Sequence, residues 1–460
     1  MEDNTLHERL LAALQDENDA LVTQVLGGAR AADIAEAFQM LRDEDRSRVF
    51  FALPPQLAAE VIVMIDEAAR SDVVEELDTE SLTEIVSELP PDDAADVLSE
   101  LSEEEQDEIL EQLESEQSEQ IEGLLEYDEY SAGGIMTPEV AALPATATVA
   151  DAVNFVREAP HSESINEIYV LDANRHPVGT VELRRLVTSP AATRLQSIAS
   201  TDFVRVNVHE DQEAVVQAIR KYDAPEAAVV DDTGRLVGRI THDDIMDVAT
   251  EEAAEDIYRM AGTDAAEFET RSVIRAARIR LTWLIPCMLG MLLSALIIKL
   301  SQRHFDAVLF TALISFVPMI GATGGNSGIQ TSTVIVRGFA TGELAALQVG
   351  RVLVREGRIA LTMAPICGVI SWVLVSMLYP LLRQLEGAAA PVPHPERVAM
   401  AVGCGMTAAI LFAAGLGIGL PFGFRRIGVD PALASGPLVT TMNDVLSVSV
   451  YMLIAMALAR

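Results

Sequence analysis

The pattern of apolar and polar positions changes character at about residue 130 and again at about residue 271. Up to residue 130, Leu, Ile and Val recur at three- and four-residue spacing between acids, which predicts short amphipathic helices. The segment LPPQLAAEVI at Leu53–Ile62 returns 36 residues later as LPPDDAADVL at Leu89–Leu98. Proline at a helix start favours stacked helical hairpins, so we expect an α-superhelical N domain over residues 1–130.

Two similar α/β segments follow, over residues 131–195 and 196–250. Each shows the order strand, helix, strand, turn, strand, helix, which resembles a tandem pair of CBS (cystathionine-β-synthase-type) domains. The second copy contains Gly238, Thr241 and Asp244, similar to the G-x-x-T-x-x-D pattern with which such domains hold an adenosine ribose. The resemblance implies ATP or another adenylate at Thr241 and Asp244. Alternatives stay open: the acidic pair Asp243 and Asp244 serves a cation or caps the next helix, or the modules serve only for dimerisation.

An acidic helix over residues 245–270 then leads into an apolar part of the chain. Each of five apolar segments is long enough to cross a bilayer, so residues 271–460 predict a five-helix α-helical transmembrane domain. The predicted spans are residues 281–300, 307–335, 359–382, 398–424 and 433–459. Arginines concentrate before the first span and in the loops after the second and fourth, beginning with Arg271. This bias predicts a cytosolic N-terminus and an outside C-terminus.

The fifth span carries one carboxylate near the middle of the membrane. Asp444 lies roughly 16 Å along a helix that begins at Leu433. A charge at that depth costs about 2.5–3.5 kcal/mol, so it is expected to face protein or water rather than lipid. Thr440 and Ser447 share its helix face, and Asn443 flanks it. We expect a cation site on a permeation path; the alternative is an ion pair with a basic residue.

Two segments are expected to depart from regular helix inside the spans. The stretch 321–330, GATGGNSGIQ, holds four glycines and is expected to disrupt a helix beside protein or water; close helix packing through glycine is the alternative. Gly436 and Pro437 are expected to kink or unwind the fifth span one turn before Thr440. We expect both segments to face one pore.

Charge is divided very unevenly along the chain. Of 70 acidic and 32 basic residues, residues 272–460 hold 7 and 14, so the two parts carry net charges of −45 and +7. Such acidity excludes nucleic acid as a partner and favours divalent cations. Because the chain has only two lysines, a salt-adapted surface is an alternative origin. Cys287, Cys367 and Cys404 lie far apart in apolar segments, so we expect small buried hydrophobes rather than a disulfide or zinc site.

Several motifs together resemble the MgtE family of magnesium transporters over essentially the whole chain. They are the Leu-Pro-Pro acidic repeats, AGGIMTPE before the CBS pair, TGGNSG in the second span, and VDPALASGP followed by Asp444. The resemblance implies a transporter rather than an enzyme. It implies a homodimer in the lipid bilayer of a bacterial or archaeal-type inner (plasma) membrane, with a pore on the two-fold axis formed mainly by spans two and five. It also implies a connecting plug helix near residues 245–262.

The resemblance also assigns expected roles to particular residues. Asp444 would be the pore carboxylate, Asn326 would lie near the pore, and Asp430 would lie at the cytosolic mouth. Thr440 stands where a small Ala can occur and could add a hydroxyl to the ion site, whereas Gly436 replaces a frequent Asn. The implied cytosolic magnesium ligands are Glu60, Asp92, Asp96, Asp211, Glu213, Asp223, Asp244, Asp247, Glu252, Glu255 and Asp256.

These observations lead to a Mg²⁺-selective channel that takes up magnesium down its electrochemical gradient. Mg²⁺ keeps several waters, and one Asp per subunit would give two carboxylates to hold a hydrated ion. Scarce magnesium would leave the acidic domains repelling one another, whereas bound Mg²⁺ would draw them together and close the channel. One alternative is a CBS-gated transporter of Co²⁺, Mn²⁺ or Zn²⁺, disfavoured by the lack of pore-facing His or Cys. Another is a membrane-anchored adenylate sensor that transports nothing.

Overall fold

The computed structural model describes residues 5–16, 19–159, 165–269, 272–341, 344, 349–385, 394–434 and 436–459. The chain divides into two compact units, Met1–Thr250 and Glu251–Arg460, and each is described by itself. Arg271, one of the arginines behind the orientation prediction, lies outside the described residues, as does Ser435 within the predicted fifth span.

The first unit begins with ten short helices. They are α1 (Leu6–Gln15), α2 (Asp19–Leu26), α3 (Ala31–Gln39), α4 (Asp43–Phe50), α5 (Pro55–Ile62), α6 (Glu67–Glu76), α7 (Thr79–Ser87), α8 (Pro91–Ser99), α9 (Glu103–Leu110) and α10 (Ser115–Leu125). Alternate helices pack on one another, as α3 does on α1 and α5, and α7 on α5 and α9. This stacking follows the predicted superhelical arrangement.

The proline repeat marks two equivalent helices, as predicted. Pro54 and Pro90 are the N-caps of α5 and α8, and Pro55 and Pro91 are the first helical residues. Proline suits this position because its fixed φ fits a helix and its missing N–H has no helical partner there. Both helices bury the same face, through Ala58, Ala59, Val61 and Ile62 in α5 and through Ala94, Ala95, Val97 and Leu98 in α8.

Two copies of one α/β module complete the first unit. The first comprises β1 (Ala142–Pro144), α11 (Val149–Glu158), β2 (Glu167–Leu171), β3 (Pro177–Glu182) and α12 (Leu183–Thr188). The second comprises β4 (Val204–Asn207), α13 (Gln212–Tyr222), β5 (Ala227–Val230), β6 (Leu236–Ile240) and α14 (His242–Ala261). In each three-stranded sheet the first strand is parallel and the third antiparallel to the middle strand. The tandem α/β fold is therefore as predicted.

Within the residues that the structure describes, the second unit consists of α-helices and two short 3-10 helices, Gln302–His304 and Pro431–Ala434. After the last part of α14 the α-helices are α15 (Ala266–Glu269), α16 (Val273–Ser301), α17 (Ala307–Ile314), α18 (Val317–Ala340), α19 (Val349–Leu385), α20 (Pro395–Arg426) and α21 (Gly436–Leu458). Five described segments are long and apolar enough to cross a membrane, one of them formed by α17 and α18 together. Helix α20 packs against α18, α19 and α21, and α16 packs on α21.

Two expected irregularities lie elsewhere than predicted. The second span is interrupted at Ser315 and Phe316, whereas the glycine-rich stretch is continuous helix within α18. The prediction of a disrupted helix there was wrong. Gly436 does not kink the fifth span either, because α21 begins at this residue.

The cysteines are free thiols, but not all are buried. Cys404 is exposed, and Cys287 and Cys367 are partly buried. The prediction of buried positions was therefore wrong for Cys404. A small apolar side chain in a membrane span is equally suited to the outer face, because lipid tails are as apolar as a protein core.

Candidate functional site

The glycine-rich stretch of α18 packs closely against α21. Gly321, Gly324, Gly325 and Gly328 follow helical spacing on one face. A Cβ at position 324 would lie 3.1 Å from Asn443 Nδ2, which is an unusually close approach. The alternative interpretation of the stretch, close packing through glycine, is therefore what the structure shows. The helix stays intact because its neighbour fills the space that side chains would occupy.

Asp444 lies at this contact between α18 and α21. It is partly buried, and a Cβ at position 321 would lie 3.2 Å from its Oδ1. Within the part of the chain that the structure describes, no basic side chain forms an ion pair with it. The described residues thus do not show the ion-paired alternative. They place an unpaired carboxylate between two membrane-spanning helices.

The polar residues near Asp444 differ in whether they bond to another helix or to their own. Asn443 is fully buried, and its Nδ2 donates to Gly321 O at 3.3 Å. Ser447 donates to Asn443 Oδ1 at 2.8 Å and is also fully buried. Ser447 is thus paired with Asn443, while Thr440 donates to Gly436 O at 2.8 Å, a carbonyl of its own helix. The shared polar face of Thr440, Asp444 and Ser447 at an ion site stays a prediction.

Asn326 takes a different side of the second span from the packed glycines. Its side chain is exposed on α18, whereas Gly325 beside it approaches Asn443 and Thr440 of α21. The contact of α18 with α21 therefore does not include Asn326. Its expected place near a pore stays a prediction.

A second group of charges surrounds the end of α14 within the second unit. Arg259 forms ion pairs with Glu255 and Asp430. Burial, together with the charges of Glu252 and Asp430 and against the opposing effect of Arg259, raises the pKa of Glu255 to about 7. Burial, followed by the same two acids and again opposed by Arg259, raises the pKa of Asp256 to about 6. Arg259 was not predicted as part of this group, although its spacing of four residues from Glu255 on a helix is visible in the sequence.

The end of α14 also touches the start of α21. Gly436 has a φ of +52°, and a Cβ there would lie 2.0 Å from Met260 O. Gly262 has a φ of +81°, and a Cβ there would lie 2.4 Å from Pro437 Cγ. Both glycines adopt left-handed backbone at a contact without room for a side chain. Glycine at position 436 thus has a structural reason here.

Three acidic residues of the first unit influence one another's ionisation. Burial, followed by the charges of Asp93 and Asp244, raises the pKa of Asp92 to about 7. Burial and the charge of Asp244 raise the pKa of Asp93 to about 6, against the opposing effect of Arg70. Burial raises the pKa of Asp244, although hydrogen bonds from Thr241 act in the opposite direction. Asp92 Oδ1 is buried without a hydrogen-bond partner within the described residues, so this carboxylate has unused binding capacity.

The two residues expected to hold an adenosine ribose are hydrogen-bonded to each other. The Thr241 hydroxyl donates to Asp244 Oδ2 at 2.6 Å, and the Thr241 N–H donates to the same oxygen at 3.1 Å. This geometry is that of a helix cap at the start of α14, the alternative that the sequence left open. Both groups are therefore occupied by capping in this structure.

The remaining implied ligands are spread over the surface. Glu60, Asp96, Asp223 and Asp247 are exposed, and Glu213 and Glu252 are partly buried. Asp211 accepts from the Glu213 N–H at 2.8 Å and caps α13. Among the described residues, no group of three or more His, Cys, Asp and Glu side chains is arranged to hold a metal ion. The roles of these acids as magnesium ligands stay predictions.

Comparison with known proteins bears on this arrangement of domains. The family model for the MgtE divalent cation transporter matches residues 317–454, that for the MgtE intracellular N domain matches residues 29–130, and that for the CBS domain matches residues 132–191 and 195–251. The magnesium transporter MgtE of Thermus thermophilus is 35% identical over 337 residues, covering 73% of this chain and 71% of that protein. The chain belongs to the MgtE family.

Further MgtE relatives agree with this placement. The magnesium transporters MgtE of Enterococcus faecalis and Bacillus subtilis are each 33% identical, over 339 and 337 residues and with the same coverage. Among solved structures, the cytosolic domain of the Mg²⁺ channel MgtE in complex with ATP is 33% identical and covers 53% of this chain and 99% of that one, with a TM-score of 0.49. The resemblance and the fold class inferred from the sequence are confirmed: this MgtE family member is a multi-pass membrane protein with an N domain and tandem CBS domains.

Proposed function

We propose that this protein is a Mg²⁺-selective channel that takes up magnesium down its electrochemical gradient. The observation that carries the proposal is Asp444, a carboxylate in the fifth span with no basic partner among the described residues. An unpaired charge at this depth requires water or a cation beside it. The membrane potential supplies about 4.6 kcal/mol per 100 mV for a divalent ion. The names of the MgtE relatives support magnesium as this ion.

A homodimer completes the proposed path. One Asp444 from each protomer would give two carboxylates at the two-fold axis, which suits a hydrated ion that keeps most of its waters. The second and fifth spans would line this axis, since Asp444 lies where α18 and α21 meet. The bias of arginines between loops supports a cytosolic N-terminus and an outside C-terminus.

The test is magnesium flux into liposomes that contain the native chain or Asp444→Asn. Because the amide is isosteric but uncharged, we expect the magnesium flux of the variant to fall at least about 100-fold. Removal of a buried charge that pairs with its binding partner has an effect of this size on affinity. A flux equal to that of the native chain would exclude Asp444 as the ion site. Size-exclusion chromatography tests whether the variant keeps the native assembly.

We further propose that Mg²⁺ bound to the acidic domains closes the channel. In the first unit, the fit of a divalent ion is supported by Asp92 Oδ1, which is buried and has no partner among the described residues, and by the nearby Asp93 and Asp244. An ion there would compensate charges that burial now disfavours. In the second unit, Glu255, Asp256 and Asp430 are the corresponding acids, partly compensated by Arg259.

An adenylate in the CBS pair remains a separate proposal. Thr241 and Asp244 would hold its ribose only by giving up the cap at the start of α14. ATP would therefore compete with helix capping, and isothermal titration of ATP to the native chain and to Thr241→Ala measures whether this residue contributes.

The second candidate function is transport of another divalent cation such as Co²⁺, Mn²⁺ or Zn²⁺. The described neighbours of Asp444 offer oxygen and amide groups, which are hard ligands. Competition of these ions against Mg²⁺ in the same flux assay separates the candidates: a softer ion that passes faster than Mg²⁺ would favour the second.

A further inference from the structure

Three buried polar side chains follow one face of α21 at four-residue spacing. Asn443, Ser447 and Tyr451 each have an exposed fraction of 0%. We refer to them as the polar stripe. Polar groups inside a membrane require hydrogen-bond partners, because neither lipid nor water satisfies them there. The partners of the stripe therefore define how α21 sits in the bundle.

These partners lie on both sides of the break in the second span. Asn443 Nδ2 donates to Gly321 O in α18 at 3.3 Å, and Ser447 Oγ supports the same amide by donating to its Oδ1 at 2.8 Å. The Tyr451 hydroxyl donates to Leu313 O in α17 at 2.9 Å. One helix, α21, is thus hydrogen-bonded to both segments of the second span.

Glycines in the neighbouring helices provide the room that the stripe requires. A Cβ at position 324 would lie 3.2 Å from Ser447 Oγ and equally close to Asn443 Oδ1. A Cβ at position 405 in α20 would lie 2.5 Å from Tyr451 Cδ2. The fit between stripe and glycines is close enough that α21 has little freedom to turn.

We propose that the polar stripe fixes the rotation of α21 about its axis and thereby positions the Asp444 carboxylate. Asp444 follows Asn443 directly, so it lies about 100° further round the helix. A turn of α21 that carried the stripe away from its two carbonyls would also carry Asp444 away from Gly321. The stripe residues are positioning residues, because none of them needs to touch the ion. The inference rests on the proposed function only where it concerns ion passage.

The first test measures the placement of position 444 without any transport. Asp444→Cys is introduced into a chain in which Cys287, Cys367 and Cys404 are replaced by Ala, and its modification rate by a small charged thiol reagent is measured in liposomes. Tyr451→Phe, Ser447→Ala and Asn443→Leu are each added to this chain. The matched control is Ser449→Ala, since the Ser449 hydroxyl donates to Val445 O of its own helix at 2.6 Å and, among the described residues, to no other helix.

We expect each stripe variant to change the modification rate by about three-fold or more, the factor that corresponds to one interhelical hydrogen bond of about 0.6 kcal/mol, and the control to leave it unchanged. Equal rates in all folded stripe variants and the control would overturn the inference. Should Asn443→Leu fail to fold, the two hydroxyl deletions decide, since they remove one atom each.

The second test uses the otherwise native chain and magnesium flux. Tyr451→Phe and Ser447→Ala should raise the half-saturating Mg²⁺ concentration by about three-fold, because the carboxylate is less well placed. A role in packing alone would lower the unfolding temperature and leave this concentration unchanged, which would count against positioning. If Asp444→Asn transports normally, the proposed function fails, and the modification rates still decide whether the stripe sets the rotation of α21.

Discussion

At the scale of single residues, neighbours on α21 have different surroundings. Asn443 is enclosed and hydrogen-bonded to another helix, whereas Asp444 is partly buried and has no basic partner within the described residues. The difference follows from the turn of about 100° per residue, which directs adjacent side chains to different neighbours. The carboxylate of Asp444 and the amide of Asn443 therefore cannot replace each other, although they are adjacent in sequence.

A methyl group at position 321 tests the room beside Asp444. Gly321→Ala would place a Cβ 3.2 Å from Asp444 Oδ1, so the carboxylate must shift by a few tenths of an ångström. We expect magnesium flux to fall by about ten-fold, the effect of about 1.4 kcal/mol. The control is Gly415→Ala in α20, where a Cβ meets open space. Native flux in Gly321→Ala would show that the position of this carboxylate is not critical.

At the scale of elements, the C-terminal end of α14 lies at the start of the fifth span. Its first residues are capped through Thr241 and Asp244, and its last residues lie against Gly436 of α21. Arg259, near its end, connects Glu255 of the same helix with Asp430 of the loop between α20 and α21. This helix is thus anchored at its C-terminal end by a residue that carries a permanent positive charge.

Removal of that charge should weaken the closed state. In Arg259→Gln, the carboxylates of Glu255, Asp256 and Asp430 lose their internal cation, so their mutual repulsion increases. We expect protection of α14 from protease to require about three-fold more Mg²⁺ than in the native chain. The exposed Arg278→Gln serves as the control. An unchanged or lower magnesium requirement would speak against this role of Arg259.

The sequence was sufficient for elements whose residues follow a local rule. The proline repeat, the doubled CBS order and the apolar spans each depend on spacing within one segment. The glycine stretch was misjudged because close packing depends on the neighbouring helix, α21, which is distant in sequence. For the same reason Asn443 was taken as a flanking residue, since its partner Gly321 lies 122 positions away.

At the scale of the whole molecule, acidity concentrates before the membrane spans. The first 271 residues carry a net charge of −45, and some of these acids are buried near one another. Folding without a divalent ion must therefore overcome both burial and repulsion of charges. The pH dependence of the free energy of unfolding measures this cost of burying charges that repel one another.

Asp92 is the residue at which to measure this pH dependence of unfolding. Its folded pKa of about 7 exceeds the ordinary value of 3.8, so the folded chain binds more protons between these values, and stability falls as pH rises through this range. In EDTA, Asp92→Asn removes this loss. We expect its unfolding temperature to exceed the native one by roughly 5–10 °C at pH 8 and by much less at pH 5.

An exposed acid provides the control for the prediction at Asp92. Asp107→Asn, at an exposed position of α9, should follow the native chain at both pH values. Saturating Mg²⁺ should raise the native unfolding temperature at pH 8 more than that of Asp92→Asn, because the variant lacks one ligand. If the native chain and Asp92→Asn lose stability in parallel as pH rises, the buried carboxylate is not the cause.

The bond from Tyr451 to Leu313 has a consequence for biosynthesis. The break between α17 and α18 is held by a hydroxyl that leaves the ribosome more than a hundred residues later. Until the last helix inserts, the second span lacks this bond, and its first segment is not yet joined to α21. The bundle is therefore completed only by its C-terminal helix, and a nascent chain stopped before residue 451 would lack the bond that joins α17 to α21.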